Sequence, residues 1–119
     1  MKYVLATLAV LAASICGSNA LTDRQIADQV TDYCTSIGHP ANVSHSYTMD
    51  GDVWIQVYIT DTDLVESGRG KEVTDQVMWY VADFDEVWQV GVYAMCEEGV
   101  EGTCTPAYSS WRRGTGQMA

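Results

Sequence analysis

The chain has 119 residues, 47% of them apolar, and sets 16 acidic residues against 6 basic ones for a net charge of −10. That length suits one domain around one core. Nucleic-acid binding is excluded as a function class, because neutralising phosphates takes clustered Lys and Arg that this chain lacks.

Met1, Lys2 and Tyr3 give a short positive start, and Val4 to Ile15 is apolar apart from Thr7 and Ser14. Ser18, Asn19 and Ala20 then supply small residues. This is the layout of an export leader over residues 1–20, cut between Ala20 and Leu21. Its apolar run is about half of the roughly 20 residues a membrane-spanning helix needs. Asp23, Arg24 and Asp28 follow too soon to extend it, so no transmembrane anchor is expected. A lipid anchor at Cys16 is not expected either, since Ala13 and Ile15 stand where lipoprotein processing takes a leucine-like and a small residue. The expectation is a protein exported to a periplasm or to the outside of a cell. All its acidic residues fall after the cut, where they keep a small domain soluble.

Residues 21–111 read as one α+β domain and 112–119 as a frayed tail. Thr22 is placed to cap a helix whose third residue is Gln25, with Leu21 and Ile26 as a hydrophobic staple. Ile26, Val30, Tyr33 and Ile37 recur at helical spacing up to Gly38 and Pro40. Two strand-like runs, ANVSHSYT (41–48) and VWIQVYIT (53–60), flank Asp50-Gly51, a hairpin dipeptide. DTDLVESGRG reads as a loop. Val73, Val77, Tyr80, Val81 and Phe84 mark one side of a second helix over 71–85. VWQVGVYAM (87–95) is a third strand, and TPAYSSW (105–111) offers a short fourth. The order helix-strand-strand-helix-strand predicts a two-layer sandwich with both helices on one face of a mixed sheet. It resembles that of small exported BON-type domains. Gly51, Val53 and Ile55 are similar to that family's hairpin strand, but Val57 stands where its next glycine belongs.

Cys96 and Cys104 bracket the polar loop EEGVEGT and are expected to form a disulfide in an oxidising compartment. Closing so short a loop is worth about 2 to 3 kcal/mol. Cys34 lies near the apolar stripe of the first helix and is expected as a buried free thiol. With no C-x-x-C pair, no cysteine metal site is predicted.

Val53, Ile55, Val57 and Ile59 form one face of the second strand, and Val90, Val92 and Ala94 one face of the third. These should meet the helices, leaving Trp54, Tyr58 and Tyr93 on the other side. The hairpin register decides how far this aromatic face extends. A two-residue turn at Asp50-Gly51 sets Tyr47 opposite Trp54 and adds it to the face; this is the favoured register. A three-residue loop over Asp50 to Asp52 instead sends Val43, His45, Tyr47 and Met49 inward.

Signatures of catalysis are sparse. SGRGK (67–71) leads into the second helix with Arg69 and Lys71, but Glu72 stands where a phosphate-binding loop has Ser or Thr. Asp50 with Asp52, Asp61 with Asp63, and Glu97, Glu98 and Glu101 offer oxygen ligands without EF-hand spacing. No G-x-S-x-G or H-E-x-x-H is present, and His39 and His45 read as loop and strand residues. Asn42-Val43-Ser44 matches a glycosylation acceptor. No metal or cofactor is expected. The reading is a small exported non-enzymatic module that binds an unknown protein or small ligand through Trp54, Tyr58, Tyr93 and Tyr47. Its rivals are a small secreted hydrolase using His45 with a nearby Asp, and an envelope component that self-associates through the same face.

Overall fold

A computed structural model describes residues 20–99 and 104–114. Among them are three helices, α1 (Asp23–Ser36), α2 (Thr62–Glu66) and α3 (Gly70–Ala82), and four strands, β1 (Asn42–Tyr47), β2 (Val53–Thr60), β3 (Val87–Met95) and β4 (Ala107–Arg112). The fold is α+β around one mixed sheet of order β1-β2-β3-β4. The outer pairs are antiparallel and the central β2–β3 pair is parallel. A parallel pair cannot be joined by a tight turn. Here the crossover carries α2 and α3. The proposed leader lies outside the described residues, apart from Ala20.

α1 begins as its sequence dictates. Thr22 accepts from Gln25 N at 3.1 Å, and the Gln25 side chain accepts from Thr22 N at 2.9 Å, a complete capping box. Its buried residues Ile26, Val30 and Cys34 join Val73, Val77, Met78 and Val81 of α3 in one cluster. The same cluster holds Val53, Ile55, Val57 and Ile59 of β2 and Val90, Val92 and Ala94 of β3. No helix among the described residues is long and apolar enough to cross a membrane.

Two sequence expectations need correction. The stretch after β2 is not all loop: Asp61 caps α2 by accepting from Leu64 N at 3.0 Å, and Leu64 is buried. The short fourth strand offered by residues 105–111 is present as β4, which pairs with β3 from Ala107 to Arg112. Beyond it, Arg113 remains held, donating to the carbonyls of Val87 and Phe84 at 2.9 Å each.

The second correction concerns register. Tyr47 pairs with Val53, His45 with Ile55 and Val43 with Val57, so the favoured two-residue turn is not formed. Thr48 N donates to Asp52 O, and Gly51 N to Thr48 O, both at 2.9 Å. That encloses Met49, Asp50 and Gly51, with Gly51 at φ +89° in the left-handed position such a loop requires. The inward parity of Val43, His45 and Tyr47 matches the three-residue alternative, but the loop sits one residue earlier.

Candidate functional site: the aromatic sheet face

Alternation along β2 creates the site. Val53, Ile55, Val57 and Ile59 are at most 2% exposed, so Trp54, Gln56, Tyr58 and Thr60 point to the opposite side. Parallel pairing sets Tyr93 beside Tyr58, and the β3–β4 ladder sets Tyr108 beside Tyr93. Three tyrosines therefore cross three adjacent strands in one row. The Tyr58 and Tyr93 rings stack at 5.1 Å with planes 8° apart, and Tyr93 meets Tyr108 at 4.6 Å and 35°. Such pairs stabilise the sheet whatever else they do.

A second row runs parallel to the first. The ladder shifts register between Val53 and Trp54, where Val87 pairs with Val53 but Gln89 pairs with Trp54. The extra residue, Trp88, stacks on Trp54 at 5.5 Å. The Arg112 guanidinium sits 5.1 Å from the centre of the Trp88 ring. Between the rows lie Gln56, Gly91 and Ser110, paired across the strands. A Cβ on Gly91 would stand 3.6 Å from ring carbons of both Tyr93 and Tyr108. The rings thus lean over a strip of backbone. Tyr58 donates to Gln56 Oε1 at 2.5 Å, while Gln89 Oε1 is buried with no hydrogen-bond partner.

The face is aromatic at its edges as well as its middle: Trp54 is 39% exposed and Tyr108 42%. Burial holds the Tyr93 phenol above its usual range, and proximity and hydrogen bonding to Tyr108 push it further the same way, followed by Tyr58. Burial thus keeps the Tyr93 phenol neutral at ordinary pH, in the middle of a row of rings.

Of the four residues singled out from sequence, the structure brings Trp54, Tyr58 and Tyr93 together and separates Tyr47. Because it pairs with Val53, Tyr47 stands on the other side of the sheet, 68% exposed. There it lines a depression of about 330 Å³ with Leu21, Thr22, Asp23, Gly51 and Val53. Trp88, Tyr108 and Arg112 also stand on this face and were not among those four residues. Alternation alone put Trp88 out of phase with Tyr93, and no local signal announces the bulge that corrects it. For Tyr108 and Arg112 a signal existed, since alternation in AYSSWR separates Tyr108 and Arg112 from Trp111.

The histidines are structurally engaged. His45 Nδ1 lies 2.5 Å from Asp23 Oδ2, linking β1 to the start of α1. His39 Nδ1 lies 3.3 Å from Asp61 Oδ2. No hydroxyl or thiol among the described residues pairs with either imidazole. Lys71 does not face a phosphate-binding loop: its ammonium donates to Tyr108 O at 3.0 Å and Ser109 Oγ at 3.2 Å, and pairs with Asp75 at 3.2 Å. Ser109, fully buried, also donates to Asp75 and lies 2.7 Å from Thr74 Oγ1. This network joins α3 to β4 and leaves no room for a substrate at Ser109.

Cys96 and Cys104 form a disulfide, with Cα atoms 6.4 Å apart. Cys34 is free and fully buried, and burial pushes its thiol up to about 11. No group of three or more His, Cys, Asp and Glu side chains among the described residues is arranged to hold a metal ion. No family model matches the chain, and neither a curated protein nor a solved structure matches it. No match supports the likeness to BON-type domains.

Proposed function

We propose that the protein is a small exported binding module, non-enzymatic, that takes up a protein or small-ligand partner on the aromatic sheet face. In this reading residues 1–20 are the leader, and both long helices cover the side of the sheet away from the rings. The observation that carries it is the pair of rows, Trp54–Trp88 and Tyr58–Tyr93–Tyr108, on strands whose other side already supplies the core. A sheet needs only one apolar side to fold. A second, partly exposed aromatic side is the composition of an interaction surface, where Trp, Tyr and Arg are the usual anchors. The Cys96–Cys104 disulfide is compatible with export, because such bonds persist in oxidising compartments.

The test is capture of partners from native extract by the wild type and by Trp54→Ala with Tyr58→Ala. Loss of a specific partner, with the variant still folded by circular dichroism, supports the reading; unchanged capture overturns it. Sedimentation at several concentrations separates a monomeric binder from a protein whose partner is a second copy of itself.

The His45–Asp23 contact favours one other reading, a hydrolase whose base is oriented by a carboxylate. That reading needs a nucleophile within reach of the free imidazole nitrogen. If an ester or amide substrate is found, His45→Gln must abolish its turnover; retention of turnover removes this reading.

A further inference from the structure

The two long helices meet through aromatic side chains that the sheet does not use. Tyr33 of α1 stacks on Tyr80 of α3 at 3.9 Å with planes 2° apart, and Phe84 meets Tyr80 edge-on at 5.6 Å. Gln76 Nε2 donates to the Tyr33 hydroxyl at 3.1 Å, fixing that ring from the side. With Trp79 and Asp83 these residues line an open depression of about 360 Å³, a size ordinary for small-molecule sites. Trp79 and Asp83 are four residues apart at the end of α3 and so project from one face. Trp79 is 50% exposed.

Charge selects the occupant. Asp83 is one of the residues lining the depression. Asp32 is close enough to add to the burial and the Tyr33 neighbour that hold the Tyr80 phenol high. Neither carboxylate has a cationic partner among the described residues, where the ion pairs are His39–Asp61, His45–Asp23 and Lys71–Asp75. Arg113 reaches the end of α3 but donates to the carbonyls of Ala82, Phe84 and Val87. An anion would be repelled by Asp83 in a chain of net charge −10. A neutral apolar guest would desolvate Asp83 without replacing its lost hydrogen bonds. A cation carrying methyl groups suits both parts of the lining, since its charge is attracted to aromatic faces and to the carboxylate alike.

We propose that this depression binds a small molecule carrying a quaternary ammonium group, with Trp79 and Phe84 supplying the ring contacts and Asp83 the opposing charge. The site is separate from the sheet face and does not depend on what that face binds.

The experiment titrates choline into the purified protein at constant ionic strength, alongside 3,3-dimethyl-1-butanol, which has the same shape without the charge. The indole resonances are read by NMR, with that of Trp79 assigned through Trp79→Phe. Choline is expected to shift the Trp79 indole saturably and to bind about tenfold more tightly than the alcohol. Asp83→Asn is expected to weaken choline about tenfold while leaving the alcohol unchanged. Equal binding of the two probes, no saturable shift, or shifts centred on Trp54 and Trp88 would overturn the proposal. The comparison of probes is made on the wild type, so it stands even if a variant folds poorly.

Discussion

The backbone nitrogen of Leu21 lies 2.6 Å from Oε2 of Glu86, tying the entrance of α1 to the turn before β3 across 65 residues. If the chain is cut after Ala20, this nitrogen becomes an α-ammonium beside a carboxylate, and an ordinary hydrogen bond becomes a charge-assisted one. Leu21 also packs against the core. Glu86→Gln is therefore expected to cost about 1 to 2 kcal/mol in protein beginning at Leu21. The cost should be clearly smaller when Ala20 or an acetyl group precedes Leu21. Denaturant melts of the four proteins check this, and equal losses with and without the free amine would show that the new charge plays no part.

Tyr93 is the middle ring of its row and makes two aromatic contacts, whereas Tyr58 and Tyr108 each make one within the row. At about 1 kcal/mol per pair beyond simple burial, Tyr93→Leu should destabilise by about 2 kcal/mol and Tyr58→Leu or Tyr108→Leu by about 1 kcal/mol. A double-mutant cycle on Tyr58 and Tyr108, which touch only through Tyr93, should show little coupling. Strong coupling would mean that the row acts as one unit.

Gly70 opens α3 against β4, and a Cβ there would come 2.9 Å from the Cβ of Ala107. Helix propensity alone favours alanine by up to about 1 kcal/mol, and overpacking opposes it by about 1 to 3 kcal/mol. The close approach is backbone-anchored on both sides, so packing should win and Gly70→Ala should lower stability. Ala107→Gly in the same chain should recover most of the loss. A stabilised single variant would show that the two elements separate easily.

Cys34 gives the pH dependence a defined sign. Its thiol is neutral in the fold up to about 11, against an ordinary value of 9.0. The unfolded chain releases this proton first, so stability contributed by the buried thiol is complete below pH 9 and is lost as pH rises towards 11. The loss is about 2 kcal/mol across that window. Cys34→Ala should flatten this limb of the stability curve while lowering the plateau through the cavity it leaves. An unchanged alkaline slope would assign the slope to other groups, the raised phenols of Tyr80 and Tyr93 among them.

The sequence was legible wherever a strong local pattern agreed with burial. The cap at Thr22, the alternation of β2 and the cysteine pair each combine two signals that point the same way. The hairpin failed because two signals disagreed. Asp50-Gly51 argues for a tight turn, but that turn would aim Ser44 and Ser46 at the helices and leave Val43 out. Turning the half-buried Val43 towards the core outweighs the preference of one dipeptide, and Gly51 serves equally well as the left-handed residue of a longer loop. α2 was missed because five residues are too few for helical periodicity to register. Trp88 was missed as a site residue because its place depends on a bulge, which is a long-range fact.

The parallel pairing of β2 with β3 divides the molecule into two similar pieces, each a helix followed by an antiparallel strand pair: α1-β1-β2 and α3-β3-β4. Within each piece most partners are near neighbours in the chain, so each can assemble quickly, whereas the seam between them must await both. The same seam is where Tyr58 first meets Tyr93, so the continuous ring surface comes into being only when the two pieces dock.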